Sequence, residues 1–237
     1  MGIVRSMKVD ELLTKALTVD PTEPVSRAIG VLKRSNAYEA FAIQKNQVVG
    51  LVTIRDILRV KDITTSKVST VMTHVPQITR YEAVSKAARI MTDHRIRAIA
   101  IVENGKLVGQ VTAASICGQL SRQGTLNLTA AAIMTPDPMS LREDDLVSKA
   151  RTLMVQKSID HLPVLRQREI AGIVTSDAIV FRMTPPERIA RESIVAEEQR
   201  RLNLRVSGMM ATEPTISTPD ADVCQVIEQI RKRGTAY

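Results

Sequence analysis

Aromatic side chains are nearly missing from this chain: 2% of residues, with no Trp, 3 Tyr and 2 Phe in 237 positions. The interior must be filled by Val, Ile, Leu, Ala and Met. The stacking platform on which proteins hold single-stranded nucleic acid is not there. Cysteine is as scarce. Cys117 and Cys224 stand far apart and outside any Cys-x-x-Cys pair, which argues against a zinc site or a disulfide framework. No apolar run approaches the roughly 18 to 20 residues that cross a bilayer. Met1 to Lys8 carries Arg5 and Lys8 but no apolar signal-peptide core. The expectation is a soluble, cytoplasmic protein with no membrane partner.

Motifs of catalysis are missing as well. There is no phosphate-cradling P-loop, no dinucleotide-binding glycine fingerprint, no His-Glu-x-x-His and no Gly-x-Ser-x-Gly. His74, His94 and His161 do not have metal-ligand spacing. No enzyme, no catalytic cofactor and no metal is the expectation.

What is present is globular in kind: 44% hydrophobic and 24% charged residues, with a formal net charge of +8. The basic residues are scattered, and Arg231-Lys232-Arg233 at a predicted helix end is the densest group. Such a distribution fits a solvated face and equally fits attraction of anionic ligands, nucleotides included. It also keeps a nucleic-acid partner as a disfavoured alternative, because no reading helix is recognisable.

The main positive signal is internal repetition. Val25-Ser26-Arg27-Ala28 recurs as Val84-Ser85-Lys86-Ala87 and Val147-Ser148-Lys149-Ala150, at offsets of 59 and 63 residues. Gly50-Leu51-Val52-Thr53 recurs as Gly109-Gln110-Val111-Thr112 and Gly172-Ile173-Val174-Thr175 at the same two offsets. Two landmarks that move together mean duplication. A third, Met72-Thr73 and Met134-Thr135, reads Leu13-Thr14 in the first copy and Met210-Ala211 in a fourth.

Within each copy the hydrophobic period changes in a fixed order. Val25, Ala28, Ile29 and Leu32 share a helix face, as do Val84, Ala87, Ala88 and Met91, and Val223, Val226, Ile227 and Ile230. A short apolar strand, a polar turn and a second strand follow, and a helix opens at Thr53, Thr112 or Thr175. The class is α/β: strand, helix, strand, strand, helix. The predicted boundaries are 7–63, 66–122 and 128–182 for three whole copies, 183–205 for a charged helical linker, and 206–237 for a partial fourth copy. That copy breaks off where its later strands should start, so either the natural chain continues past Tyr237 or another molecule supplies them.

The Met-Thr start, a Pro-x-x-(Thr/Ser/Leu) segment, the Val-led helix, the apolar strand with Pro163 and the Gly-x-Val-Thr strand together resemble the CBS domain. The resemblance runs over nearly the whole chain. It implies that copies pair through their sheets into Bateman modules, a four-copy layout similar to that of the gamma subunit of AMP-activated protein kinase. It implies clefts that take AMP, ADP, ATP, NAD or S-adenosylmethionine as regulatory ligands, a regulated partner protein, and a homodimer.

Thr53-Ile54-Arg55-Asp56 is the leading site. Free N–H groups at a helix start favour phosphate, and an ionised carboxylate accepts from ribose hydroxyls. The same spacing also describes a helix capping box, with Thr53 as the cap and Asp56 three residues on. The resemblance places the rest of the cleft on Pro76-Gln77-Ile78-Thr79 and Ile96-Arg97-Ala98. Backbone near Ile78 would read the adenine edge, Ile96 would cover a ring face, and Arg97 would meet phosphate with His94 and Arg95 beside it. A weaker second cleft would combine Thr18 and Val19 with Thr112 and Ser115. A third would combine Thr175 and Asp177 with Pro214 and Thr215. Copy two has no carboxylate, and Asp177 comes one position early, about 100 degrees around a helix. Loss of ligand at such degenerate sites would leave a structural, dimerising scaffold.

Overall fold

A computed structural model describes residues 7–122, 124, 126–183 and 200–233. The first repeat runs β1 (Thr18–Val19), α1 (Val25–Arg34), β2 (Glu39–Gln44), β3 (Gln47–Thr53) and α2 (Ile54–Leu58). The second has α3 (Val84–His94), β4 (Ala98–Glu103), β5 (Lys106–Thr112) and α4 (Ala113–Ser121). The third has a short α5 (Ala130–Ile133), then β6 (Leu141–Arg142), α6 (Val147–Lys157), β7 (His161–Arg166), β8 (Glu169–Thr175) and α7 (Ser176–Met183). A 3-10 turn (Val206–Gly208) and α8 (Val223–Arg233) follow. Most of the expected linker helix lies outside the described residues.

The helical faces follow the predicted spacing, except that Ala88 and, in the C-terminal segment, Val226, Ile227 and Ile230 are only half-buried. Val25, Ala28, Ile29 and Leu32 are buried in α1, Val84, Ala87 and Met91 in α3, and Val147, Ala150 and Met154 in α6. Burying a side chain the size of Ile29 or Leu32 contributes about 1.5–3 kcal/mol. Each of these helices ends on a residue with positive φ: Asn36 just past α1, Arg95 at the end of α3 and Ser158 at the end of α6. This turn aims the chain back along the helix into the next strand.

Each hairpin is antiparallel, with a register shift at the same place: Ala42/Ile43, Ile101/Val102 and Val164/Leu165. In the first and third repeats a two-residue strand adds in parallel, pairing Thr18 with Phe41 and Leu141 with Val164. In the second it shrinks to one parallel bridge, Ile78 to Ile101.

Strand alternation then decides the packing. In β2, Ala40 and Ala42 face a core built with the third repeat, around Ile54, Leu58, Val147 and Ile179. Phe41, with Leu51 of β3, faces a second core shared with Ile78, Val84, Ile99 and Val111 of the second repeat. Bridges Lys8–Ala83, Thr14–Gln110, Pro24–Lys67 and Leu51–Thr73 stitch the first repeat to the second. Thr129–Asp222, Leu146–Arg205 and Ile173–Ala211 stitch the third to the C-terminal segment. The two halves stack through helices, α2 on α7 and α4 on α8.

Candidate functional site

The start of α2 is a capping box. Thr53 Oγ1 accepts the Asp56 N–H at 3.1 Å and donates to Asp56 Oδ2 at 2.8 Å, while the Thr53 N–H donates to the same Oδ2 at 3.1 Å. This arrangement occupies Oδ2. The other oxygen, Oδ1, lies 3.9 Å from the Arg59 guanidinium. The helix mouth is largely used up: the Ile54 N–H goes to the Tyr38 carbonyl at 2.9 Å and the Asp56 N–H to Thr53. With α2 only five residues long, an anion here must be held by side chains.

Those side chains converge. A cavity of about 220 Å³ is lined by Leu51, Thr53, Arg55, Asp56, Arg59, Thr73, Val75, His94, Arg95, Ile96 and Ser158. Its floor is apolar, with Leu51, Val75 and Ile96 all buried. Arg59, His94 and Arg95 are exposed at its rim. Three guanidiniums, an imidazole, hydroxyls and one carboxylate make this a binding chemistry for an anion that also carries a hydroxyl-bearing group.

Thr53, Asp56 and Ile96 are thus brought together, with His94 and Arg95 beside them. The other expected contacts need correction. The Arg97 side chain turns away from the cavity: its Nη2 lies 3.0 Å from Asp160 Oδ2, and its guanidinium stacks 3.8 Å over the Tyr38 ring. The Ile78 N–H is not free to read an adenine edge, because it donates to Ala100 O at 3.2 Å, while its carbonyl accepts the Val102 N–H at 2.9 Å and keeps one lone pair. Ala98 offers no N–H either, having given it to Glu39 Oε2 at 2.8 Å. Pro76 and Thr79 do not line the cavity, whose wall from that segment is Thr73 and Val75.

In the weaker second cleft the Ser115 hydroxyl donates to Thr112 O at 2.8 Å and accepts the Thr112 N–H at 3.1 Å, closing a cap of its own. Val19 is buried beside Ala42, and Thr18 stays exposed. For the third set, Thr175 accepts the Ala178 N–H at 3.3 Å, Asp177 stays half-buried, and Pro214 and Thr215 lie half-buried in the stretch before α8. His161 opens β7 with its side chain exposed.

Two buried acids escaped sequence reasoning. Glu39 receives the N–H groups of Arg97 and Ala98 at 2.8–3.0 Å. Burial pushes its carboxyl up to about 7 despite those donors. A lone acid inside the apolar run from Tyr38 to Ile43 was the available signal. Asp160 is held by Arg55, Arg97 and Ser176. Burial acts to raise its pKa, but the Arg55 and Tyr38 hydrogen bonds and the two guanidinium charges hold it below the usual carboxylate range. Nothing local in the sequence marks it.

Among the described residues no three His, Cys, Asp or Glu side chains group as a metal set, and no helix is long and apolar enough to cross a membrane. Residues 9–63, 66–122 and 130–184 each match the CBS domain. These stretches make up more than half of the chain, which belongs to the CBS-domain family. Proteins of this family are regulatory, ligand-binding modules. The chain is 26% identical to an uncharacterized protein of Methanocaldococcus jannaschii over 99% of its own residues, and spans only 58% of that relative's length. It is 31% identical to the CBS domain-containing protein YhcV of Bacillus subtilis, over 48% of this chain and 84% of that one. A crystal structure from M. jannaschii, of a candidate archaeal homologue of g-AMPK, superposes with a TM-score of 0.84 at 16% identity, covering 96% of this chain and 90% of that one. That likeness speaks for the fold.

Proposed function

We propose that the cavity between the first and second repeats binds an adenosine mononucleotide as a regulatory ligand, with no catalysis. The observation that carries this reading is the meeting of an apolar floor, the Asp56 oxygen that the helix cap does not use and a cationic rim in one cavity. An adenine ring would lie on Leu51, Val75 and Ile96, the ribose hydroxyls would donate to Asp56 Oδ1, and phosphate would meet Arg59, Arg95 and His94. At about 220 Å³ the space sits below the roughly 300–1,000 Å³ of drug-sized pockets. It suits one nucleoside with its phosphates at the rim and disfavours NAD. The net positive charge of S-adenosylmethionine would face three guanidiniums, which favours AMP, ADP or ATP over it.

In this reading the segments 7–63, 66–122, 128–182 and 206–237 act as two sheet-paired modules joined by residues 183–205, and pass the ligand signal to a partner protein or a further domain. Self-association as a homodimer belongs to the same proposal, carried by the exposed Ile133, Met134 and Met139. A structural-scaffold reading is favoured only for the second cleft, where Ser115 has spent its hydroxyl.

Thermal denaturation with AMP, ADP, ATP, NAD and S-adenosylmethionine tests the choice. A ligand at 100 times its Kd adds about 2.7 kcal/mol. The adenosine phosphates are expected to raise the midpoint and S-adenosylmethionine to leave it unmoved. A response to none of the five would return the chain to the scaffold class.

A further inference from the structure

One residue of the third repeat reaches the cavity that the first two repeats build, and a second holds a residue of its wall. Ser158 lines it directly. Asp160, two residues on, is hydrogen-bonded by Arg55, whose side chain lines the same cavity. The reason is positional. Tyr38, Arg97 and Asp160 occupy one equivalent place in the three repeats, since their carbonyls accept the first helical N–H groups of Ile54, Ala113 and Ser176. Stacking brings these three places together, and the three side chains interlock. Arg97 stacks on Tyr38 and pairs with Asp160, while Tyr38 Oη lies 2.7 Å from Ser176 Oγ. Asp160 is nearly sealed, at 5% side-chain exposure, whereas Arg55 keeps 17% and lines the cavity. Asp160 therefore keeps Arg97 and Ser176 if Arg55 moves, but Arg55 has two claimants: the buried carboxylate behind it and any anion in front of it.

We infer that Asp160 of the third repeat is an internal rival of the ligand's phosphate for Arg55, so that ligand affinity and the packing of the first repeat on the third oppose one another. This inference rests on the nucleotide reading of the cavity and adds its regulation. A phosphate that draws Arg55 forward removes one tie between α2 and the third repeat. By reciprocity, anything that loosens this tie tightens phosphate binding. Two effects act in the same direction when Asp160 loses its charge: Arg55 is released, and a negative charge behind the phosphate disappears. The ligand signal thus has a physical route into the interface between the stacked halves.

Titration calorimetry of the full chain with AMP and with adenosine tests this. In Asp160→Asn, AMP is expected to bind about tenfold more tightly, with adenosine, which lacks the phosphate, unchanged. Weaker or unchanged AMP binding would overturn the rivalry, and so would an equal gain for adenosine, which would mean a change of cavity shape. Absence of AMP binding to the unaltered chain would instead remove the nucleotide reading itself. Should Asp160→Asn fail to fold, hydrogen exchange on the unaltered chain decides. Saturating AMP should speed exchange in Ser176–Met183 in the natural sequence and not in Arg55→Gln. No AMP-dependent change in that helix would overturn the inference.

Discussion

The seam between the first two repeats and the seam between the third repeat and the C-terminal segment are built from the same parts, yet among the described residues only the first is bridged on both sides. In the first pair, Thr14 bridges Gln110 of the second repeat, and Thr73 bridges Leu51 of the first. In the second pair, Ala211 bridges Ile173, while Ile133 and Met134 stay 60% and 48% exposed. At the equivalent turn positions Val9, Val68 and Val206 are fully buried, whereas the third repeat has the half-buried Ala130. The difference teaches what the repeated glycine does. A Cβ on Gly109 would stand 2.7 Å from Thr14 O, and one on Gly172 would stand 2.5 Å from Ala211 O. The Gly-x-Val-Thr strands of the second and third repeats therefore leave room for the backbone of the partner segment, and that of the first leaves room for the Met72 side chain. Met134 and Thr135 meet no such strand among the described residues.

Substitutions at the seams sharpen this contrast. Gly109→Val should cost most, since the neighbour is backbone and cannot step aside. Overpacking of this kind costs about 1–3 kcal/mol and more where relaxation is blocked. Urea denaturation should show a clear fall in midpoint. Gly50→Ala should cost less, because the atoms it meets belong to the Met72 side chain. Equal losses would mean that the close approach is not the reason for the glycine.

Glu39 gives a pH test confined to the closed seam. Its folded-state carboxyl lies near 7, above the ordinary 4.5, so the folded chain holds the proton more tightly than the unfolded one. That contribution is complete below about pH 4.5 and is lost as pH rises toward 7. Glu39→Gln should flatten the stability profile across this window. A slope unchanged by the substitution would place its origin elsewhere. The smallest effect is expected at the open seam, where Ile133→Glu should shift stability by less than about 0.5 kcal/mol. The same change should abolish any dimer seen by sedimentation, and a large loss of stability would show that Ile133 is covered after all.

Much of this architecture is legible in the sequence because the repeat supplies its own controls. The Val-Ala faces of α1, α3 and α6 and the Thr caps follow from local spacing alone. Thr53 and Asp56 of the cavity are found by pattern, and Ile96, with His94 and Arg95 beside it, through the family resemblance. Arg97 was not legible as a structural residue, because its partner Asp160 lies 63 positions away and meets it only when the halves stack. The Ile78 N–H was hidden for a related reason: a one-residue parallel bridge leaves no periodic trace, yet it takes up that N–H.

Direct titration of AMP into the full chain and into Asp56→Ala tests the account most squarely. Thr53 still caps α2 in the variant, so the helix content by circular dichroism should persist, with a stability loss of about 0.5–2 kcal/mol from the broken box. AMP is expected to bind the natural sequence measurably and the variant at least about tenfold more weakly, because the ribose loses its acceptor. Identical affinities for the two proteins would contradict it.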